Sequence, residues 1–169
     1  MHVLQTDRLN LRWLEPADAD FILRLTNEPS WLQYIGDKGI RSLEDAEKYI
    51  LNGPRAMYHD LGFGLWLVAL RENAESIGIC GLIKRDTLED VDIGFALLPE
   101  YWNKGYAFEA AAGTMQYARD SLKISRVAAI TSLDNESSGK LLVKLGFQFE
   151  KLIQPEPEEE KLKFFVSDR

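Results

Sequence analysis

Residues 92–110 read Asp92-Ile93-Gly94-Phe95-Ala96-Leu97-Leu98-Pro99-Glu100-Tyr101-Trp102-Asn103-Lys104-Gly105-Tyr106-Ala107-Phe108-Glu109-Ala110, and this stretch decides the fold. Its first part alternates: Val91, Ile93, Phe95 and Leu97 point one way, and Asp92, Gly94 and Ala96 the other, which is the period of a strand. Pro99 cannot donate to a sheet ladder, so the strand ends or splays there. Past Gly105 the period changes. Phe108, Ala111, Ala112, Met115, Ala118 and Leu122 share one helical face and predict a helix from about Gly105 to Leu122. The first amides of a helix lack intrahelical partners and carry partial positive charge, so a tight turn leading into one can hold a pyrophosphate through backbone N–H groups. Gly105 permits the close approach that such binding needs. Taken alone, Gly-x-Ala before a helix reads equally well as an ordinary strand-to-helix turn.

Working outward, Leu9, Leu11 and Trp13 alternate with Asn10 and Arg12 as a half-buried strand. Pro16 suits the first turn of a helix with Phe21, Ile22 and Leu25 on its apolar face, ended by Asn27 and Pro29. Ser42 and Asp45 form a capping arrangement for a second helix, which Gly53-Pro54 should terminate. The loop between these helices is rich in aromatics, including Trp31 and Tyr34. Leu65–Leu70 and Ile77–Ile83 read as a hairpin turning near Asn73. Beyond the central stretch come a strand at Arg126–Thr131, a short helix at Asn135–Leu145 closed by Gly146, and strands at Phe147–Ile153 and Lys161–Val166. The order βααβββαβαββ predicts an α/β chain, one domain over residues 1–169, with a mixed sheet covered by helices on both sides.

Composition narrows the chemistry. With 169 residues, 46% of them hydrophobic, the chain has material for one sizeable core. A net charge of -7 argues against nucleic acid or an anionic membrane surface as partner and suits a cationic or amine-bearing one. Glu156, Glu158, Glu159 and Glu160 form an acidic run whose plain reading is a solvated loop. The one cysteine, Cys80, lies in an apolar run and reads as a small buried hydrophobe, and a chain without disulfides is expected in the cytoplasm. Two histidines, His2 and His59, leave little room for a metal centre or a Ser-His-Asp triad, so no metal is expected. Ser138-Gly139-Lys140-Leu141 fails as a P-loop, because Leu141 lacks the metal-binding hydroxyl.

Two spaced motifs then make the reading specific. Trp102-Asn103-Lys104-Gly105-Tyr106-Ala107-Phe108-Glu109-Ala110 is followed, after a helix and a strand, by Asn135-Glu136-Ser137-Ser138 and Lys144-Leu145-Gly146-Phe147. Together they resemble the GNAT superfamily of acyl-CoA-dependent N-acyltransferases. The opening Thr6-Asp7-Arg8-Leu9-Asn10-Leu11-Arg12 and the Trp102–Ala107 turn resemble its branch of ribosomal-protein N-terminal acetyltransferases. The resemblance implies a mostly antiparallel central sheet with a splayed central strand, and acetyl-CoA as co-substrate. It implies that the amides of Asn103, Lys104, Gly105, Tyr106, Ala107 and Phe108 hold the pyrophosphate, and that backbone groups of Leu97 and Leu98 meet the pantetheine. Many relatives begin this turn with Gln or Arg; Trp102 should pack instead of binding phosphate.

Three side chains carry alternatives. Asn135 is either a helix cap alone or a cap that also bonds CoA. Ser138 is either a solvent-facing residue or a general acid toward the leaving thiolate, a role left open because Leu142 stands where many relatives have a Tyr acid. Asp92 is either an exposed strand carboxylate or the general base, acting through water. The expected reaction is direct attack of an amine on acetyl-CoA in a ternary complex, the acceptor being a protein N-terminus or a small molecule. Acceptor contacts are expected from the Trp31–Ile40 loop and near Tyr58, His59 and Trp66. A non-catalytic acyl-CoA sensor is the alternative, and the chain is expected as a monomer or homodimer.

Overall fold

The computed structural model describes residues 1–168. Strands β1 (His2–Gln5) and β2 (Leu9–Arg12) are followed by helices α1 (Ala19–Thr26), α2 (Pro29–Tyr34), α3 (Leu43–Ile50) and α4 (Ala56–Leu61). Then come β3 (Leu65–Leu70), β4 (Ser76–Ile83), β5 (Val91–Leu97), α5 (Tyr106–Asp120), β6 (Val127–Ser132), α6 (Glu136–Lys144), β7 (Gln148–Ile153) and β8 (Leu162–Ser167). Three of these elements depart from the sequence reading. β1 is an edge strand too short to show a period, and its antiparallel pairing with β2 holds it. Pro29 does not only close α1; it opens α2, where its missing N–H costs nothing in the first turn. Gly53-Pro54 does not end α3. The chain widens into a π-type turn over Leu51–Arg55, which accommodates Pro54, and resumes as α4 until Gly62 turns it out at φ 81°.

The eight strands form one sheet in the order β1-β2-β3-β4-β5-β6-β8-β7, antiparallel except for β5 and β6. Apolar layers cover both faces. One joins the sheet to α5 and α6 through Trp66, Cys80, Ala111, Met115, Leu142 and Phe147. The other joins it to α1 and α3 through Leu14, Ile22, Leu25, Ala46, Ile50 and Leu67. Double coverage is why β3 and β4 read as continuous apolar runs.

Pairing between β5 and β6 is limited to two positions, Val91 with Val127 and Asp92 with Ala128. Each strand nevertheless stays paired on its outer side, β5 with β4 as far as Leu97 and β6 with β8 as far as Ser132. The sheet therefore opens in its middle, between two strands that are each held from behind.

Candidate active site

A cleft of about 1240 Å³ occupies this opening. Leu98 N–H donates to the Ile77 carbonyl (2.9 Å), and in an antiparallel ladder the next residue back faces the other way. The backbone groups of Leu97 and Phe95 thus face the side from which β6 has parted. Leu98 does not share that role: its carbonyl accepts from Tyr101 N–H (3.0 Å) and its side chain is buried. Of the two residues expected to offer backbone groups, only Leu97 does so. Trp102, expected to pack and not to bind phosphate, is 43% exposed and uses its indole N–H to bond the Leu97 carbonyl (3.0 Å), so it tethers the end of β5.

At the foot of the cleft the chain turns through Asn103 (φ 61°) and Gly105 (φ 83°) into α5. No side chain caps this helix, and its first internal bond runs from Glu109 N–H to the Gly105 carbonyl (3.0 Å). The amides of Tyr106, Ala107 and Phe108 precede that bond and have no intrahelical acceptor. Asn103, Gly105, Tyr106, Ala107 and Phe108 all line the cleft; Lys104 does not. Its carbonyl accepts from Arg8 (2.9 Å) and its ammonium lies 5.9 Å from the Tyr101 ring centre.

Arg8 belongs to a clamp behind this turn. Glu109 accepts from Thr6 Oγ1 (2.5 Å), Arg8 N–H (2.9 Å) and Arg8 Nε (2.7 Å), while the Arg8 guanidinium covers the Tyr106 ring at 4.4 Å. Burial alone would raise the Glu109 carboxyl, but these bonds outweigh it and hold it below the ordinary value. A side chain at residue 105 would need a strained backbone and would come within 3.2 Å of Arg8.

Asp92 sits where β5 and β6 part and is fully buried, which overturns the exposed-strand alternative. Arg85 lies against it, and Ala96 on the same face of β5 packs on the α1–α3 layer, so this face is not a solvated one. Burial pushes its carboxyl up to about 6, against the pull of Arg85, whose Nε lies 3.1 and 3.3 Å from the two carboxylate oxygens. Across the opening, Asn135 caps α6 by accepting from Ser138 N–H (3.3 Å). That bond uses the Asn135 oxygen and leaves its amide nitrogen without a partner among the described residues. Ser138 also lines the cleft, as does Thr131 on β6, whose Oγ1 is buried without a hydrogen-bond partner among the described residues. Leu142 is buried and offers no proton.

The far end of the cleft is lined by Trp31, Tyr34 and Lys38 from the expected loop region, together with Tyr49 of α3 and Arg85 of the β4–β5 loop. Tyr58, His59 and Trp66 are elsewhere. Tyr58 stacks on Trp13 and bonds Leu14 N–H and the Leu65 carbonyl, His59 meets the Trp13 ring edge, and Trp66 packs on Tyr117 in the core. Tyr49 and Arg85 escaped the sequence reading as site residues. Lys38 falls within the expected Trp31–Ile40 loop without being singled out, and Arg8 had only its place in the Thr6-Asp7-Arg8 opening as a signal. Among the described residues there is no cluster of acidic, His or Cys side chains fit for a metal, and no helix long and apolar enough to cross a membrane.

A profile of the acetyltransferase (GNAT) domain matches residues 8–148. The uncharacterized N-acetyltransferase YoaA of Bacillus subtilis is 31% identical over 153 residues, covering 90% of this chain and 86% of that protein. Among solved structures, an acetyltransferase from Agrobacterium tumefaciens superimposes with a TM-score of 0.84 at 23% identity, over 98% of this chain and 94% of that one. RimL, a ribosomal L7/L12 alpha-N-protein acetyltransferase solved with coenzyme A, gives a TM-score of 0.83 at 17% identity, over 99% and 98%. The parted strands, the uncapped α5 terminus and the sequence match agree, and the chain belongs to the GNAT acetyltransferase family.

Proposed function

We propose that the chain, acting as one domain, transfers an acetyl group from acetyl-CoA to a primary amine by direct attack in a ternary complex. One observation carries this reading: a strand with open backbone groups leads, within one cleft, from a buried carboxylate to an uncapped helix terminus. The amides of Tyr106, Ala107 and Phe108, with Asn103 and Gly105 shaping the turn, bind the pyrophosphate. Leu97 pairs with the pantetheine as a missing strand would, and the Asn135 amide nitrogen donates to its other side. Lys104 serves the turn through its backbone shape alone, and Leu98 by anchoring β5.

Holding amine and thioester together is worth ~7 to 11 kcal/mol, and a second N–H on the open edge of β5, that of Phe95, aimed at the developing oxyanion adds ~3 kcal/mol. Asp92, through water, takes the proton that the amine must lose. The nitrogen bonds to the carbonyl carbon, the C–S bond breaks, and Ser138 passes a proton to the departing sulfur while regaining, through water, the one that the nitrogen sheds on becoming an amide. The acceptor is a protein N-terminus or a small-molecule amine in the cytoplasm. A non-catalytic sensor would need the cradle but not a buried carboxylate in the same cleft, and Asp92 speaks for turnover.

Ala107→Asp tests the cradle. A carboxylate in the first turn suits the helix dipole, so the fold survives, but it repels phosphate. Acetyl-CoA affinity measured by calorimetry should fall at least tenfold, ~1.4 kcal/mol, with the melting temperature unchanged or raised. Unaltered affinity would remove the turn from the site, and absence of thiol release with every amine tried would remove the transfer reaction.

A further inference from the structure

The far end of the cleft is built from donors. Arg85 spends its Nε on Asp92, and its two terminal nitrogens make no hydrogen bond to any described residue. Lys38 and the Tyr49 hydroxyl make none either. These three side chains come from the α2–α3 loop, α3 and the β4–β5 loop, and all line the same cleft as Asp92. Lys38 is exposed to solvent, yet the protein packed around its ammonium, and then the charge of Arg85, push it below its ordinary value, and no carboxylate offsets that push. Burial pushes the Tyr49 phenol up, so it stays a neutral donor.

Glu28 has Arg24 at 3.8 Å, and Asp134, Glu136, Glu156, Glu159 and Glu160 line the same cleft from the β6–α6 turn, α6 and the β7–β8 loop. None of these comes within ion-pair distance of Arg85 or Lys38; among the described residues Asp92 alone does so, on Arg85. In a chain of net charge -7, a local cluster with two cations and one phenol against the single carboxylate of Asp92 has donors left over for an anion.

Resting on the transfer reaction above, we infer that the acceptor amine carries its own carboxylate, held by Arg85, Lys38 and Tyr49 while the amine faces Asp92. The arrangement also serves the chemistry: cations near the amine disfavour its ammonium, the form that cannot attack. A free amino acid-like molecule and the acidic start of a peptide share this chemistry, and matched pairs separate them.

Two acceptor pairs differ only by a carboxylate: γ-aminobutyrate against its amide, and a seryl-aspartyl peptide amide against the seryl-asparaginyl one. Spermidine serves as the cationic probe. Affinity is measured by calorimetry on the CoA-saturated protein, and kcat/KM by thiol release with acetyl-CoA. In at least one pair the acid should win at least tenfold by both measures, and the winning pair names the source. Lys38→Met should cut that preference below about threefold and leave acetyl-CoA affinity unchanged. Equal binding within both pairs, a preference for spermidine, or a preference that survives Lys38→Met overturns the inference while turnover stands. Discrimination in binding without any thiol release supports the inference and instead sinks the transfer reaction.

Discussion

The two ends of the cleft are built in opposite ways. The cradle end is seven consecutive residues, Trp102–Phe108, working mainly through backbone amides and unusual φ values. The acceptor end gathers Trp31, Tyr34, Lys38, Tyr49 and Arg85 from four separate segments and works through side chains. A backbone site tolerates many side chains but needs one local geometry; a side-chain site needs the whole fold to assemble it. The first kind leaves a motif in the sequence, and the second leaves none.

Asp92, on the strand between the two ends, gives the largest test. Asp92→Asn keeps the shape and removes the base, so kcat should fall by ~100-fold. The wild-type rate should rise with pH through about 6 as Asp92 ionises, and that limb should vanish in the variant. Stability should move the other way. The folded-state value of about 6 lies above the ordinary carboxylate range, so the protonated form favours folding. That contribution is complete below about pH 4 and is lost as pH rises through about 6, on the order of 3 kcal/mol. At neutral pH the variant should therefore melt higher than the wild type. A variant that melts lower and keeps its kcat would make the Asp92–Arg85 pair a structural ion pair, and the two ends of the cleft would share no catalytic centre.

How much was legible follows the same division. The order of elements, the long α5 and the Asn135-capped α6 were readable from periods and caps. β1 and α2 were too short to show a period, and the π-type turn over Leu51–Arg55 let the chain pass a Gly-Pro pair that normally stops a helix. The burial of Asp92 was unreadable because strand alternation says which residues share a face, not whether helices cover it. Leu98 was over-assigned, since only the register with β4 reveals which of two adjacent residues turns its amide outward.

The clamp behind the cradle is the next lever. Glu109→Ala or Arg8→Ala removes the bonds that hold the β1–β2 turn against the first turn of α5. The amides of Tyr106–Phe108 remain, but less fixed. The KM for acetyl-CoA should rise about tenfold, ~1.4 kcal/mol, while kcat changes by less than about threefold. Arg8→Lys keeps the charge and loses the fork, so it should rescue little. A fall in kcat alone would show that the clamp acts on the chemistry, and the cradle would then be less self-contained than its sequence suggests.

Smaller effects separate Asn135 from Ser138. Asn135→Ala removes a cap and should cost about 1 kcal/mol of stability, together with a severalfold loss of acetyl-CoA affinity. Ser138→Ala leaves the cap in place and should lower kcat with affinity nearly intact. Thermal melts and acetyl-CoA titrations of both variants check the split. Matching losses of affinity in the two, with kcat untouched, would make Ser138 a ligand contact.

The smallest expected effect is none, and it bears on direct attack. A covalent route would need a nucleophile, and Cys80 on β4 is the one thiol in the chain. It is fully buried, its sulfur is 3.4 Å from Thr114 Oγ1, and burial pushes its thiol up to about 12. At neutral pH almost none is thiolate, and the thiolate is the reactive form. Thiol-directed alkylation of the native protein should therefore leave both mass and activity unchanged, and double-reciprocal plots should intersect, as a ternary complex requires, instead of running parallel. Inactivation by the reagent together with parallel plots would replace direct attack with an acetyl-cysteine intermediate. In that case Asp92 would no longer need to act on the amine while the thioester is bound, and the two ends of the cleft would work in turn and not together.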